Sequence, residues 1–198
     1  GRYKKSMGHL PVFFSEAGLM QYRLKVEIEY LIALSDWKAI PQLKPFSARL
    51  REQLRAIFVD FGIHEAEEVK DIEAETNHDV KAIEYFLRDE LKSLSTFPEP
   101  ALEFVHFCCT SEDINNLSYA LMIRDALRKE YLPRLRGIIT FLTRLAQQWK
   151  AVPMLAMTHG QPATPTTVGK ELMVFVKRLE RQLQQLQTVR IMGKFSGA

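Results

Sequence analysis

Met157-Thr158-His159-Gly160-Gln161-Pro162-Ala163-Thr164-Pro165-Thr166-Thr167 stands between two long helical patterns and decides how they are joined. Two prolines and a glycine exclude helix and strand interior, so the stretch reads as a loop of fixed shape. It differs from a polar linker in gathering a histidine, a glutamine and four threonines. The plain structural reading is a stiff helix–helix connection whose hydroxyls cap the next helix. Loops of this kind carry function when a rigid scaffold holds them.

Outward from the loop, helices dominate. After it, Val168, Leu172, Phe175, Leu179, Leu183 and Leu186 recur with helical period, predicting a helix from about Thr167 to Met192. Met173, Val174 and Val176 put apolar surface on its other faces, so this helix is expected to be buried among several neighbours. Before the loop, Leu135, Ile139, Leu142, Leu145 and Trp149 mark a helix from Pro133 to about Lys150, with Pro133 in its first turn. Ser111 to about Tyr131 forms another, with Leu117, Leu121 and Leu127 inward. Three such helices are too few to bury one another, so oligomerisation or further sequence is expected to complete a bundle.

The N-terminal part reads as shorter helices. Ser15 caps a helix to about Trp37, with Leu19, Tyr22, Val26, Tyr30, Leu31 and Leu34 on one face. Ser47 opens the next, with Leu50, Leu54, Ile57, Phe58 and Phe61 inward and Gly62 as its stop. A short acidic helix covers roughly 65–74, and Asn77 is expected to cap a helix carrying Val80, Ile83, Leu87 and Leu91. The Ser- and Pro-rich break from Ser93 to Pro100 is the best domain boundary, dividing the chain into 1–99 and 100–198. No stretch alternates for long with period two, and no phosphate-binding glycine loop or internal repeat occurs. The fold class is therefore all-α: a small N-terminal helical domain followed by the first long helices of a truncated central helical bundle.

Composition excludes several functions. A net charge of +3, with both signs interspersed, gives no basic stripe for nucleic acid. No apolar run spans a membrane and no secretory signal opens the chain. The adjacent Cys108 and Cys109 rarely bridge and lack the second pair of a metal site, so they read as reduced, buried thiols of a cytoplasmic protein. The chain opens at Gly1 without methionine and stops at Ala198 just after a helical pattern, so both ends read as cut.

Four polar clusters sit at element junctions: Arg2-Tyr3, Thr76-Asn77-His78-Asp79, Thr110-Ser111-Glu112-Asp113 and Thr158-His159-Gly160-Gln161. Each has an ordinary explanation as frayed surface, helix cap, capping box or loop histidine. Three stand at helix starts, where unpaired N–H groups and the dipole favour anions, so together they suit a substrate carrying phosphate and carboxylates. Histidine exchanges protons near neutrality, so His159 is a candidate to donate or accept a proton there. A metal site is disfavoured: Glu75, His78 and Asp79 lack the two-histidine spacing of a zinc helix, and His64 and His106 are isolated. No strand–turn–helix nucleophile elbow supports a serine triad.

Thr158-His159-Gly160-Gln161-Pro162-Ala163-Thr164-Pro165 resembles the T-x-H-x-Q-x-A-x-P region of the fumarase/aspartase superfamily, and Thr110-Ser111-Glu112-Asp113 resembles its T-S-x-D region. Within it, Glu75 to Tyr85, Gly1-Arg2-Tyr3 and Gly193 to Ala198 resemble the adenylosuccinate lyase family. The resemblance covers all 198 residues and corresponds to the family's N-terminal part. It implies splitting of adenylosuccinate into AMP and fumarate, and of succinylaminoimidazole carboxamide ribotide in purine synthesis, without cofactor or metal. His159 would be the general acid. Arg2 and Tyr3 would hold the nucleotide end, Asn77, His78 and Asp79 would line the pocket, and Thr110 and Ser111 would bind the succinyl or fumarate carboxylate. Gln161 is a weaker candidate; Lys81 and Glu84 read as structural. The family's general-base serine, in the pattern S-S-x-M-P-x-K-x-N-P, has no counterpart in these residues, so this chain alone is expected to be inactive. The family's proteins are homotetramers whose active sites are shared between subunits. The alternatives are another superfamily lyase (of argininosuccinate lyase, fumarase or aspartase type) and a non-catalytic helical interaction module.

Overall fold

The computed structural model describes residues 2–197; Gly1 and Ala198, which belong to the terminal motifs above, lie outside the described residues. The chain is all-α as expected, apart from one two-stranded hairpin. Its helices are α1 (Pro11–Phe14), α2 (Glu16–Asp36), α3 (Ala48–Val59), α4 (Ile63–Thr76), α5 (Asp79–Ser93), α6 (Ser111–Ala126), α7 (Leu132–Gln148) and α8 (Val168–Thr188); the hairpin strands are β1 (Pro153–Thr158) and β2 (Gln161–Thr167). No described helix is long and apolar enough to cross a membrane. Two compact units form, one running to Arg124 and including the residues from Met192 onward, the other spanning Asp125–Ile191.

The first unit is built around α2. Ser15 caps it, its hydroxyl accepting from Gly18 N at 3.0 Å. Leu24, Ile28, Leu31 and Ile32 are buried on one face and Tyr22 and Val26 on the opposite one, so α2 is surrounded rather than laid on a surface. Ser47 caps α3 through Leu50 N, and Leu50, Leu54 and Phe58 turn inward as their spacing predicts. Gly62 does not stop α3, which ends at Val59; it precedes α4, donating its N–H to Glu65 Oε2 at 2.8 Å. Val80, Ile83, Leu87 and Leu91 of α5 are buried. Residues of the 93–100 break and the 3-10 turn Glu99–Phe104 enter the same core through Phe97, Ala101 and Leu102.

In the second unit a wide π turn, Leu127–Tyr131, leads directly into α7, where Leu132 N bonds Leu127 O. The sequence pattern predicts two separate helices here. Pro133 explains the difference. In a regular α-helix its ring would strike the carbonyl four residues back, and a five-residue turn makes room for it. α8 ends at Thr188, short of Met192, and starts with Thr167 Oγ1 accepting from Lys170 N at 3.2 Å.

The stretch 157–167 is not the loop expected. Most of it belongs to antiparallel β1 and β2, closed by the two-residue turn His159-Gly160 between Thr158 and Gln161. Both turn residues have positive φ, 52° and 75°, the signature of the tight turn that matches strand twist. The prolines are tolerated because a two-stranded ribbon has only edges. Pro162 faces Met157, one pair in from the turn, where a two-residue hairpin places a non-hydrogen-bonded pair. A register shift between Leu155 and Met157 breaks the alternation that would have revealed the strand.

Candidate active site

At the α4–α5 junction, Asn77 does not cap α5. It ends α4 in the left-handed region (φ 52°), its N–H bonded to Glu73 O at 2.8 Å. His78 is the N-cap of α5, its Nδ1 accepting from Lys81 N at 3.2 Å. An Nδ1 that accepts this bond leaves Nε2 as the ring nitrogen that can donate to a ligand. Asp79 Oδ2 pairs with Arg23 Nη2 at 2.5 Å, and its Oδ1 accepts from Val80 N at 2.9 Å. Burial works to raise the Asp79 carboxyl, but the Arg23 charge and hydrogen bond, helped by Val80 N–H, hold it below the ordinary carboxylate value. Lys81 Nζ pairs with the largely buried Glu84 at 2.5 Å.

The start of α6 is a capping arrangement in which the carboxylate does most of the bonding. Asp113 Oδ2 accepts from both Thr110 N at 2.9 Å and Thr110 Oγ1 at 3.0 Å. The Thr110 N–H is the leading cause that keeps the Asp113 carboxyl below its ordinary value; burial opposes it, and the Thr110 hydroxyl and the N–H groups of Ser196 and Gly197 add to the lowering. The Gly193–Gly197 segment is thereby brought over this helix start. Asn116 fixes it, donating to Lys194 O and accepting from Lys194 N, each at 2.8 Å. A Cβ at Gly197 would collide with the Thr110 hydroxyl, so only glycine allows the approach.

Arg23 ties two of the clusters together. Besides holding Asp79 it donates from Nε to Asn115 Oδ1 at 2.8 Å, one turn into α6 from Thr110 and Ser111. Asn77, His78, Asp79, Thr110 and Ser111 therefore stand on two helix junctions braced by one buried guanidinium. Arg2 and Tyr3 lie on the exposed N-terminal segment, the Arg2 guanidinium 5.8 Å from the Tyr3 ring centre. His159 is exposed at the tip of the β1–β2 hairpin, in the second unit, with Gln161 beside it at the start of β2.

Arg23, Asn115, Asn116 and the pair Glu27–His106 are not among the site residues that the sequence predicts. His106 is not isolated: its Nδ1 lies 2.5 Å from Glu27 Oε1. The residues are 79 apart in sequence, and nothing local announces the contact. Asn115 and Asn116 left a faint signal, since adjacent asparagines are poor choices inside a helix. Cys108 is exposed rather than buried, while Cys109 is half-buried, and both are free thiols. Among the described residues no group of three or more His, Cys, Asp and Glu side chains is placed to hold a metal ion.

Comparison with known proteins agrees with these motifs. The Lyase family profile matches residues 1–198. The chain is 46% identical over 198 residues to adenylosuccinate lyase of Haemophilus influenzae and 47% identical over 204 residues to that of Dictyostelium discoideum, with 100% of this chain and 43% of each relative covered. The chain thus spans less than half the length of these relatives. Among solved structures, a fumarate lyase from Mesorhizobium sp. BNC1 superposes with TM-score 0.72 at 22% identity, covering 96% of this chain and 42% of that one. The beta-carboxy-cis,cis-muconate cycloisomerase of Acinetobacter calcoaceticus sp. ADP1 superposes with TM-score 0.75 at 18% identity, covering 100% and 45%. At these identities the two structures support the fold alone.

Proposed function

From the premise that this chain belongs to the Lyase family, we propose that the whole protein carrying it is an adenylosuccinate lyase. It eliminates fumarate from adenylosuccinate, leaving AMP, and from succinylaminoimidazole carboxamide ribotide, in purine nucleotide synthesis. The observation that carries this reading is the similarity to adenylosuccinate lyases over the entire chain, motif segments included.

The chemistry needs no cofactor. A base takes the proton from the carbon beside a succinyl carboxylate, and the resulting charge spreads into that carboxylate. The C–N bond then breaks, its electron pair leaving on nitrogen, and an acid protonates that nitrogen. His159 is the acid, a histidine offered from the two-residue turn of the hairpin. Thr110 and Ser111, at the head of α6, receive the carboxylate, Ser111 through its hydroxyl and the helix start, Thr110 by exchanging its bonds to Asp113 Oδ2 for bonds to the substrate. Asn77, His78 and Asp79 line the pocket, with the Nε2 hydrogen of His78 as donor. Arg2 and Tyr3 take the nucleotide end. The base comes from residues outside this chain, in a cytoplasmic homotetramer whose subunits share active sites, so the 198 residues alone are inactive.

The test is a continuous absorbance assay with adenylosuccinate on the whole protein, beside the 198-residue chain at matched concentration. Fumarate and AMP from the whole protein only are expected. A whole protein that leaves adenylosuccinate intact overturns the substrate assignment; a chain that turns over alone overturns the external base.

A further inference from the structure

Glu27 sits in the middle of α2 with its side chain 0% exposed, where a helix core ordinarily takes an apolar residue. Its Oε1 is 2.5 Å from His106 Nδ1, and its Oε2 is buried with no hydrogen-bond partner among the described residues. An incompletely satisfied buried carboxylate is costly, and a fold keeps one where something depends on it. The histidine is unusual as well. His106 has φ 58° and Cys108 φ 57°, two left-handed non-glycine residues in the turn that leads to Thr110. Backbone strain of this kind concentrates at functional sites.

We propose that Glu27 is a positioning residue of the lyase site, fixing the orientation and charge of His106 in the turn ahead of Thr110 and Ser111. This rests on the lyase reading above. With Nδ1 held by Glu27, Nε2 is the one ring donor left, and a protonated ring makes it a strong donor to an anionic substrate. The groups facing His106 are Glu27 from α2 and Glu84 and Lys81 from α5. Two carboxylates against one ammonium favour the imidazolium. Chiefly through the Glu27 hydrogen bond, and against burial, the His106 pKa is raised above the ordinary histidine value. Tyr30 and Cys109 also lie in the field of Glu27. Burial is the leading cause that pushes each up to about 12; for Cys109 the Glu27 charge comes next, whereas for Tyr30 the neighbouring Cys109 and Cys108 come before Glu27.

The test uses Glu27→Gln and Glu27→Asp in the whole protein. The readouts are the His106 titration by NMR with labelled histidine, assigned through His106→Gln, and the pH profile of kcat/KM. Glu27→Gln is expected to move the His106 titration to lower pH, to draw the alkaline limb of kcat/KM down with it, and to lower kcat/KM about 10- to 100-fold, by analogy with the partners that orient metal-bound histidines. Glu27→Asp should recover part of both. An unmoved His106 titration in folded Glu27→Gln overturns the proposal, as does a moved titration with wild-type kcat/KM. Should Glu27→Gln not fold, His106→Gln decides: the same loss of kcat/KM supports the role and wild-type kcat/KM overturns it. Wild-type protein without lyase activity overturns the lyase reading itself, whereas an active wild type with an indifferent Glu27→Gln overturns only the role of Glu27.

Discussion

Arg23 Nη2 lies 2.5 Å from Asp79 Oδ2, so a buried cation in the middle of α2 holds the first residue of α5. Its Nε reaches Asn115 in α6, and no apolar side chain can make both bonds. Arg23→Met is therefore expected to lower stability by about 2 kcal/mol, the scale of a charged hydrogen bond discounted for the half-exposed Asp79. The loss depends on pH. The Asp79 carboxyl is held below its ordinary value, so the pair stabilises fully above the ordinary carboxylate range and loses its effect as pH falls through the lowered value. Urea midpoints of the two proteins should differ at pH 7 and converge under acid; equal midpoints at pH 7 would remove Arg23 as the brace.

His159 is the residue whose substitution separates chemistry from folding. It is exposed at a hairpin tip with φ 52°, a region asparagine and glycine enter more easily. His159→Asn in the whole protein is expected to leave the melting temperature unchanged and to lower kcat about 10²- to 10⁴-fold, the contribution of a general acid. A variant that melts normally and keeps wild-type kcat would exclude His159 as the acid.

The helices were legible because each signal is local. Ser15, Ser47 and Thr167 are caps whose hydroxyls accept from the N–H three residues on, and the Leu50/Leu54 and Ile83/Leu87/Leu91 stripes follow from helical period alone. The hairpin was hidden because Pro162 and Pro165 argue against strand, and the shift at Leu155/Met157 destroys the alternation. Its turn was nonetheless written in His159-Gly160, a polar residue followed by glycine. Of the site, the polar clusters at helix starts were readable as clusters. What braces them was not, since Arg23–Asp79 and His106–Glu27 join residues 56 and 79 positions apart.

Gly169 sets how closely α7 and α8 approach at the base of the hairpin. Its N–H bonds Trp149 O at 3.1 Å, and an added Cβ would run into the Ala146 carbonyl and come within 2.7 Å of Lys150 N. These are backbone atoms and cannot swing aside. Gly169→Ala is expected to cost about 1–3 kcal/mol by overpacking. It should also lower kcat in the whole protein without touching His159, because the hairpin carrying that residue grows from this junction. Denaturant unfolding and the adenylosuccinate assay check the two halves; a variant with wild-type stability would show that α7 and α8 tolerate a wider spacing.

Cys108 and Cys109 are expected to differ in reactivity although they are neighbours. Cys108 is exposed; Cys109 is half-buried. Burial, with the nearby Glu27 charge adding to it, pushes the Cys109 thiol up to about 12. At pH 8 Cys109 is then far less ionised than an ordinary thiol, and the thiolate is the form that reacts. Iodoacetamide at pH 8 is expected to alkylate Cys108 and spare Cys109 in the folded chain, and to modify both after unfolding in urea. Peptide mass spectrometry reads the two sites separately. Equal labelling in the folded protein would mean that the turn holding His106, Cys108 and Cys109 opens to solvent on the timescale of alkylation, and that Glu27 is not sealed beneath it.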